Sequence, residues 1–102
     1  GRHRTPSGEA RVKPPIGSTV LVCIGVAPGG ADVLRPATVT EAWSPVCVNV
    51  QVLLDGTNDD RLIRRAHFLD RRRSGQLVVW ATSLMEGDGI GQWRRTASPA
   101  EA

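Results

Sequence analysis

The sequence is poor in the residues that build catalytic and metal centres. It has two cysteines, two histidines and no tyrosine, and this scarcity argues against a structural zinc site. His3 and His67 have no serine or cysteine partner at a recognisable spacing, so a catalytic triad is not supported. We therefore predict a protein that is not an enzyme, with no metal or other cofactor and no small-molecule substrate.

Long apolar runs are also missing. No stretch is long enough to cross a bilayer as a helix, and no signal-peptide pattern is present, so no membrane partner is expected. Cys23 and Cys47 are the only cysteines, and each lies inside a strand-like apolar run. Two buried thiols are the favoured interpretation. A Cys23–Cys47 disulfide stays open, because sequence does not show the geometry that it requires.

The formal net charge of +3 is too small to argue for nucleic acid, but the basic residues cluster. Residues 1–15 combine basic residues with three prolines and almost no apolar content, which predicts an extended N-terminal arm. Residues 61–73 are arginine-rich and form either an anion-binding patch or a solvated loop. From these two segments we predict the partner-binding residues Arg2, Arg4, Arg11, Lys13, Arg64, Arg65, Arg71, Arg72 and Arg73.

Valine-rich alternation dominates the rest of the chain and favours strands, because branched side chains suit a pleated surface. We predict strands at 16–26, about 37–43, about 46–54, 76–84 and 92–95. Residues 46–54 alternate most cleanly and predict a central strand. Between them, residues 61–73 fit either a strand or a helical stripe of Leu62, Ile63, Ala66 and Leu69. An extended or loop conformation is favoured there.

These elements predict an all-β domain, a small SH3-like barrel of about five strands at residues 16–95. The arm, 1–15, precedes it and a polar tail, 96–102, follows. Val39, Glu41 and Trp43 are expected to share one face of their strand. Pro36 is expected at a strand start or on an edge, because it lacks a backbone donor. The three tryptophans are expected to pack in the core or at the barrel rim rather than stack on bases.

Acidic and amide side chains crowd the segment that follows the third predicted strand. Asp55, Asn58, Asp59 and Asp60 offer the oxygens that calcium prefers. Their spacing lacks the EF-hand pattern, and Asx side chains commonly stabilise turns. An Asx-rich hairpin turn is therefore the favoured interpretation.

One set of residues resembles a family of small proteins encoded by tailed bacteriophages. The motif reads Arg35-Pro36-Ala37-x-Val39-Thr40-x-x-Trp43, then Val48-Asn49-x-x-Val52, then Asp55-Gly56-x-Asn58-Asp59. Farther along, Trp80-x-x-Ser83, a glycine-rich loop and Gly91-x-Trp93 also fit. The resemblance covers about residues 18–95.

The resemblance implies a barrel of SH3 size, a phage origin and no transferable catalytic residues. It leads us to expect a capsid decoration or cement protein on the virion surface, present in the host cytoplasm during assembly. Its partners would be the major capsid protein and neighbouring copies of itself. The alternatives are a nucleic-acid-binding SH3-like module, whose arginines contact phosphates, and a head–tail or tail accessory component.

Overall fold

The computed structural model describes residues 12–96, and its main feature is a single five-stranded antiparallel sheet. The strands are β1 (Thr19–Val26), β2 (Asp32–Ala42), β3 (Cys47–Leu53), β4 (Val78–Met85) and β5 (Trp93–Arg95). Their order across the sheet is β4-β3-β2-β1-β5. The predicted all-β fold is confirmed. β3 is an interior strand, paired with β2 on one side and β4 on the other, although β2 is the middle strand of the order. The basic residues Arg2, Arg4 and Arg11 of the predicted arm lie outside the described range.

Trp93 closes this sheet into a small barrel. It pairs with Val22 of β1 on one side and bridges to Glu86, directly after β4, on the other. Its indole N–H lies 3.1 Å from the carbonyl oxygens of Val46 and Leu84 and donates to both. Because the Trp93 side chain is fully buried, its ring fills the core while its polar edge joins the two ends of the sheet.

The core is built from small branched side chains rather than from aromatic rings. Alternate residues of β3 point inward, as its sequence pattern predicts, and the other strands contribute similar residues. The inward-facing residues of β1–β4 are Val20, Val22, Ile24, Ala37, Val39, Ala42, Val48, Val50, Val52, Val79, Ala81 and Leu84. Branched side chains lose little freedom in strands and fill the pleated interior.

Three bulges interrupt the regular pairing of the sheet. One lies in β1 between Cys23 and Gly25, and the other two change the alternation that the sequence indicates in β2 and β4. The pairing of β2 with β3 shifts between Val39 and Glu41, and that of β4 with β3 shifts on either side of Asn49. Each bulge adds one residue to a strand and turns the following side chains over. The prediction that Glu41 and Trp43 share the inward face of Val39 is therefore wrong. Both are exposed, and Ala42 is buried in their place.

The segment between β3 and β4 is partly helical. A 3₁₀ turn, Gly56–Asp59, leads into one turn of α-helix, α1 (Asp60–Ile63). The predicted hairpin turn and the extended conformation at residues 61–63 are wrong. The helical stripe was the better guide, because Ile63, Ala66 and Leu69 are buried against the core at three-residue intervals. Residues 64–73 form turns and irregular structure, as the loop alternative predicted.

Pro36 and the two cysteines occupy positions that their chemistry explains. Pro36 lies within β2 rather than at its start. It pairs only with Leu21 of β1, because pairing with β3 begins at Ala37, so no partner needs its missing N–H. Cys23 and Cys47 are both free thiols. They lie on β1 and β3, which β2 separates.

Candidate functional site

The two ends of the phage-like motif form an ion pair inside the molecule. Arg35 Nε and Nη2 each donate to a different carboxylate oxygen of Asp59, at 2.7 Å. The backbone N–H of Asp55 also donates to this carboxylate, at 2.7 Å. These bonds, with that from Arg35 the strongest, hold the pKa of Asp59 below its usual range. Because Asp59 is 1% exposed, the pair anchors the helical segment to β2 rather than contacting a partner.

Asn49 connects the middle of the motif to β4. Its side-chain oxygen accepts hydrogen bonds from the Trp43 indole at 3.1 Å, the Thr82 hydroxyl at 2.8 Å and the Ser83 backbone N–H at 2.8 Å. Asn49 is itself buried, and Ser83 adopts a left-handed φ of 58°. The Asn49 side chain thus stabilises the β4 bulge and holds the Trp43 indole against the outer surface of the sheet.

Several large apolar side chains are exposed on the outer side of β3 and β4. Leu53 lies opposite Val78 across the two strands, Gln51 opposite Trp80, and Cys47 opposite Met85. We call this surface the outer apolar face and define it by its exposed members, Trp43, Leu53, Val78, Trp80 and Met85. Because cross-strand pairs are close neighbours, Leu53, Val78 and Trp80 group near one end of the two strands. Trp43 and Met85 lie near the other end, beyond the exposed Thr82 and Ser83.

The sequence pattern did not lead us to predict the outer apolar face. Trp43 is 57% exposed and Trp80 40% exposed, whereas Trp93 is fully buried. Of the expected core or rim packing, the core alternative therefore holds for Trp93, whereas Trp43 and Trp80 do not pack in the core. The sequence of β4 did contain an indication of this face, because apolar residues occur at both the inward and the outward positions of the strand. Such a pattern predicts either a strand covered on both faces or one that presents an apolar surface.

Three of the predicted arginines come together at one cleft. Arg64, Arg72 and Arg73 line a cleft of about 370 Å³ with Asp60, Ile63 and Ser74. Arg72 Nη1 donates to the carbonyl oxygens of Ile63 at 3.3 Å and Arg64 at 2.9 Å. Arg72 therefore caps the end of α1, whereas Arg64 and Arg73 are exposed.

Asp60 is the acidic side chain of that cleft, and its hydrogen bonds are structural. It accepts from the Ser74 hydroxyl at 2.6 Å and from the Gly75 backbone N–H at 2.7 Å. The bond from Ser74 is the main reason that the pKa of Asp60 is lowered. The carboxylate thereby joins the start of α1 to the chain entering β4.

The remaining predicted residues lie elsewhere. Arg71 is 83% exposed, 4.0 Å from Asp70, and has a left-handed φ of 51°. Arg65 lies with Arg61 beside Val26 and the 87–91 loop, at a separate cleft. Lys13 is exposed near the start of the described range. The arginines of residues 61–73 therefore do not form one patch.

The described residues contain neither a metal-binding cluster nor a membrane-spanning helix. Among residues 12–96, no group of three His, Cys, Asp or Glu side chains is placed to hold a metal ion. The described part of the chain contains no helix long and apolar enough to span a membrane. Comparison with family models, curated proteins and solved structures gave no match.

Proposed function

We propose that this chain is a non-enzymatic protein-binding module that attaches to a protein shell, as a capsid decoration or cement protein of a tailed phage does. The observation that carries the proposal is the outer apolar face. Exposed apolar patches on soluble proteins commonly mark interaction surfaces. Tryptophan and methionine are enriched at the centres of such interfaces, and both occur here at Trp43, Trp80 and Met85.

The phage setting of the proposal derives from the sequence motif, and the structure explains part of that motif physically. Arg35 and Asp59 hold the helical segment in place, while Asn49 positions Trp43 at the outer apolar face. In this proposal the major capsid protein covers the face. Neighbouring copies on the shell then add avidity through repeated weak contacts.

A nucleic-acid-binding module is the second candidate, and the same exposed rings favour it. Single-stranded nucleic acid stacks its bases on exposed aromatic side chains, while arginines bind its phosphates. Trp43 and Trp80 supply exposed indoles, and Arg64 and Arg73 supply exposed cations on the same molecule. A head–tail or tail component uses the same protein-binding chemistry and differs in copy number.

The deciding experiment compares binding to protein and to nucleic acid. Purified protein is sedimented with empty shells of the phage that encodes it, and separately titrated into DNA as a duplex and as a single strand. Saturable binding to shells at a fixed stoichiometry supports the proposal. Salt-sensitive binding to DNA without binding to shells replaces it with the second candidate.

Variants assign any shell binding to the outer apolar face. Trp80→Ser combined with Met85→Gln removes two of its exposed side chains and should abolish sedimentation with shells. Ile16→Gln is the matched control, because Ile16 is exposed and apolar but precedes β1, outside the face. Equal binding by both variants would show that another surface makes the contact.

A further inference from the structure

A separate cleft lies at the carboxyl end of β1. We call it the arginine-flanked cleft and define it by Val26, Arg61, Leu62, Arg65 and Ile90, which surround a space of about 220 Å³. Val26 and Ile90 are exposed, and Leu62 is half-buried. Its floor is therefore aliphatic, and its two cations come from α1 and the turn after it.

Close packing of α1 on β1 creates this cleft. A side chain on Gly25 would place its Cβ 2.9 Å from Leu62 Cδ2, so a larger residue there would require the Leu62 side chain to move. Leu62 therefore forms part of the floor of the cleft. Arg61 precedes it and Arg65 follows it in the sequence, and both line the same cleft. The Leu62 side chain thus packs directly on the backbone of Gly25, and this contact does not involve the two arginines.

The two arginines carry no internal counter-charge. Within residues 12–96, neither the Arg61 nor the Arg65 side chain has a hydrogen-bond or ion-pair partner, and no acidic residue lines the cleft. In contrast, Arg35, Arg94 and Arg95 each bind a carboxylate. Like charges one helical turn apart are unfavourable, so an anionic ligand would relieve a repulsion that the folded chain leaves in place.

We propose that the arginine-flanked cleft binds an acidic segment of a partner protein. One aliphatic side chain of that segment fills the floor between Val26, Leu62 and Ile90. Carboxylates on either side of it pair with Arg61 and Arg65, because a guanidinium group matches a carboxylate with two parallel hydrogen bonds. Nucleic acid fits less well, since its backbone offers phosphates but no aliphatic group for the floor.

The partner need not be a capsid protein, because the arginine-flanked cleft is a different surface from the outer apolar face. The probe is an acetylated and amidated pentapeptide, Ala-Glu-Leu-Glu-Ala, titrated into isotopically labelled protein. Two control peptides replace both glutamates by glutamine or the leucine by serine. Backbone amide signals of Val26, Leu62 and Ile90 should shift saturably with the first peptide. Each control peptide should bind about tenfold more weakly or not at all.

Two double variants localise the charge effect. Arg61→Gln with Arg65→Gln should weaken peptide binding about tenfold, while Arg71→Gln with Arg73→Gln, which removes the same charge outside the cleft, should leave it within about twofold. Equal weakening by both pairs would reduce the effect to overall charge and overturn the proposal. So would absence of shifts at the three amides at millimolar peptide, or tighter binding of an oligonucleotide than of the peptide at the same amides.

The outcome is distinguishable from that of the capsid proposal. Loss of shell binding in Trp80→Ser with Met85→Gln, together with unchanged peptide binding, would support both proposals on separate surfaces. Shell binding without any peptide binding would retain the capsid role and reject the acidic-segment ligand.

Discussion

Arg35 and Asp59 are separated by twenty-four positions in the chain, yet they bind each other through two hydrogen bonds of 2.7 Å. The arginine lies on β2 and the aspartate at the end of the 3₁₀ turn before α1. Asp59 is almost completely buried, whereas the Arg35 side chain is 25% exposed. A charge so buried is tolerated only because it is paired and hydrogen-bonded. The pair therefore determines how the helical segment is attached to the barrel.

Replacing the carboxylate tests this role. Asp59→Asn leaves Arg35 without its counter-charge and should lower the free energy of unfolding by about 2 kcal/mol. Urea unfolding followed by circular dichroism measures the loss. Asp70→Asn is the control, because Asp70 is exposed and its ion pair with the exposed Arg71 is long, at 4.0 Å. This control should change stability by less than about 0.5 kcal/mol, and equal losses in the two variants would contradict the assignment.

The same pair gives the protein a defined acid sensitivity. The pKa of Asp59 is lowered in the folded state, chiefly by its hydrogen bond from Arg35. Its contribution to stability is therefore complete above the unfolded-state pKa of about 3.9 and is lost as the pH falls through the lower folded-state pKa. Urea unfolding measured at decreasing pH should show a steeper loss of stability for the unmodified protein than for Asp59→Asn. Parallel curves for the two proteins would rule out Asp59 as a source of this sensitivity.

The strands of the barrel were predictable, because the alternation of apolar and polar residues is visible within each strand's own sequence. The alternation of β3 needs only its own residues, and Val48, Val50 and Val52 are buried as that pattern indicates. The outward turn of Trp43 was not predictable, because it depends on a bulge at which β2 meets β3. Nothing in the sequence of β2 alone distinguishes a bulged strand from a regular one.

The candidate surfaces were less predictable, for a related reason. The arginines of residues 61–73 are recognisable as a cluster, but α1 and the turns after it direct Arg64 and Arg65 to different clefts. Arg72 is used inside the chain as a cap. The direction in which each arginine side chain points, and whether it bonds within the chain, depend on contacts with residues far away in sequence. A charge count therefore overestimates how many of them face one partner.

Asn49 should matter for stability out of proportion to its size. Asn49→Ala leaves the Ser83 N–H and the Trp43 indole N–H without their acceptor, and should lower the free energy of unfolding by about 2 kcal/mol. The NMR signal of the Trp43 indole proton should shift as well. Gln51→Ala is a control two residues along the same strand, where the described residues offer the side chain no hydrogen bond. An effect as large at Gln51 as at Asn49 would point to general disruption of β3.

Fluorescence quenching tests the unequal exposure of the tryptophans. Trp43 and Trp80 are exposed and Trp93 is fully buried, so iodide should quench most of the emission of the unmodified protein. The double variant Trp43→Phe with Trp80→Phe retains only Trp93, and iodide should hardly quench its emission. If the double variant were quenched as strongly as the unmodified protein, the closure of the barrel by Trp93 would be wrong.

Gly91 should be the glycine least tolerant of a side chain among those in the turns. Its φ of 81° is strained for other residues, and an added Cβ would lie 3.1 Å from Phe68 Cδ1. Its backbone N–H also donates to the Cys23 carbonyl oxygen at 2.9 Å, so the 87–91 loop cannot shift freely to make room. Gly91→Ala should lower the free energy of unfolding by about 1–3 kcal/mol, measured by urea unfolding.

Gly29 provides the matched control, because an added Cβ there meets no atom within 4 Å and its φ is not in the left-handed region. Gly29→Ala should be neutral or stabilise the protein by up to about 1 kcal/mol, since alanine restricts the unfolded chain. Comparable destabilisation by the two substitutions would mean that the loss at Gly91 comes from neither its backbone conformation nor Phe68. A loss confined to Gly91→Ala would support its left-handed backbone conformation and the close approach of Phe68 as the combined cause.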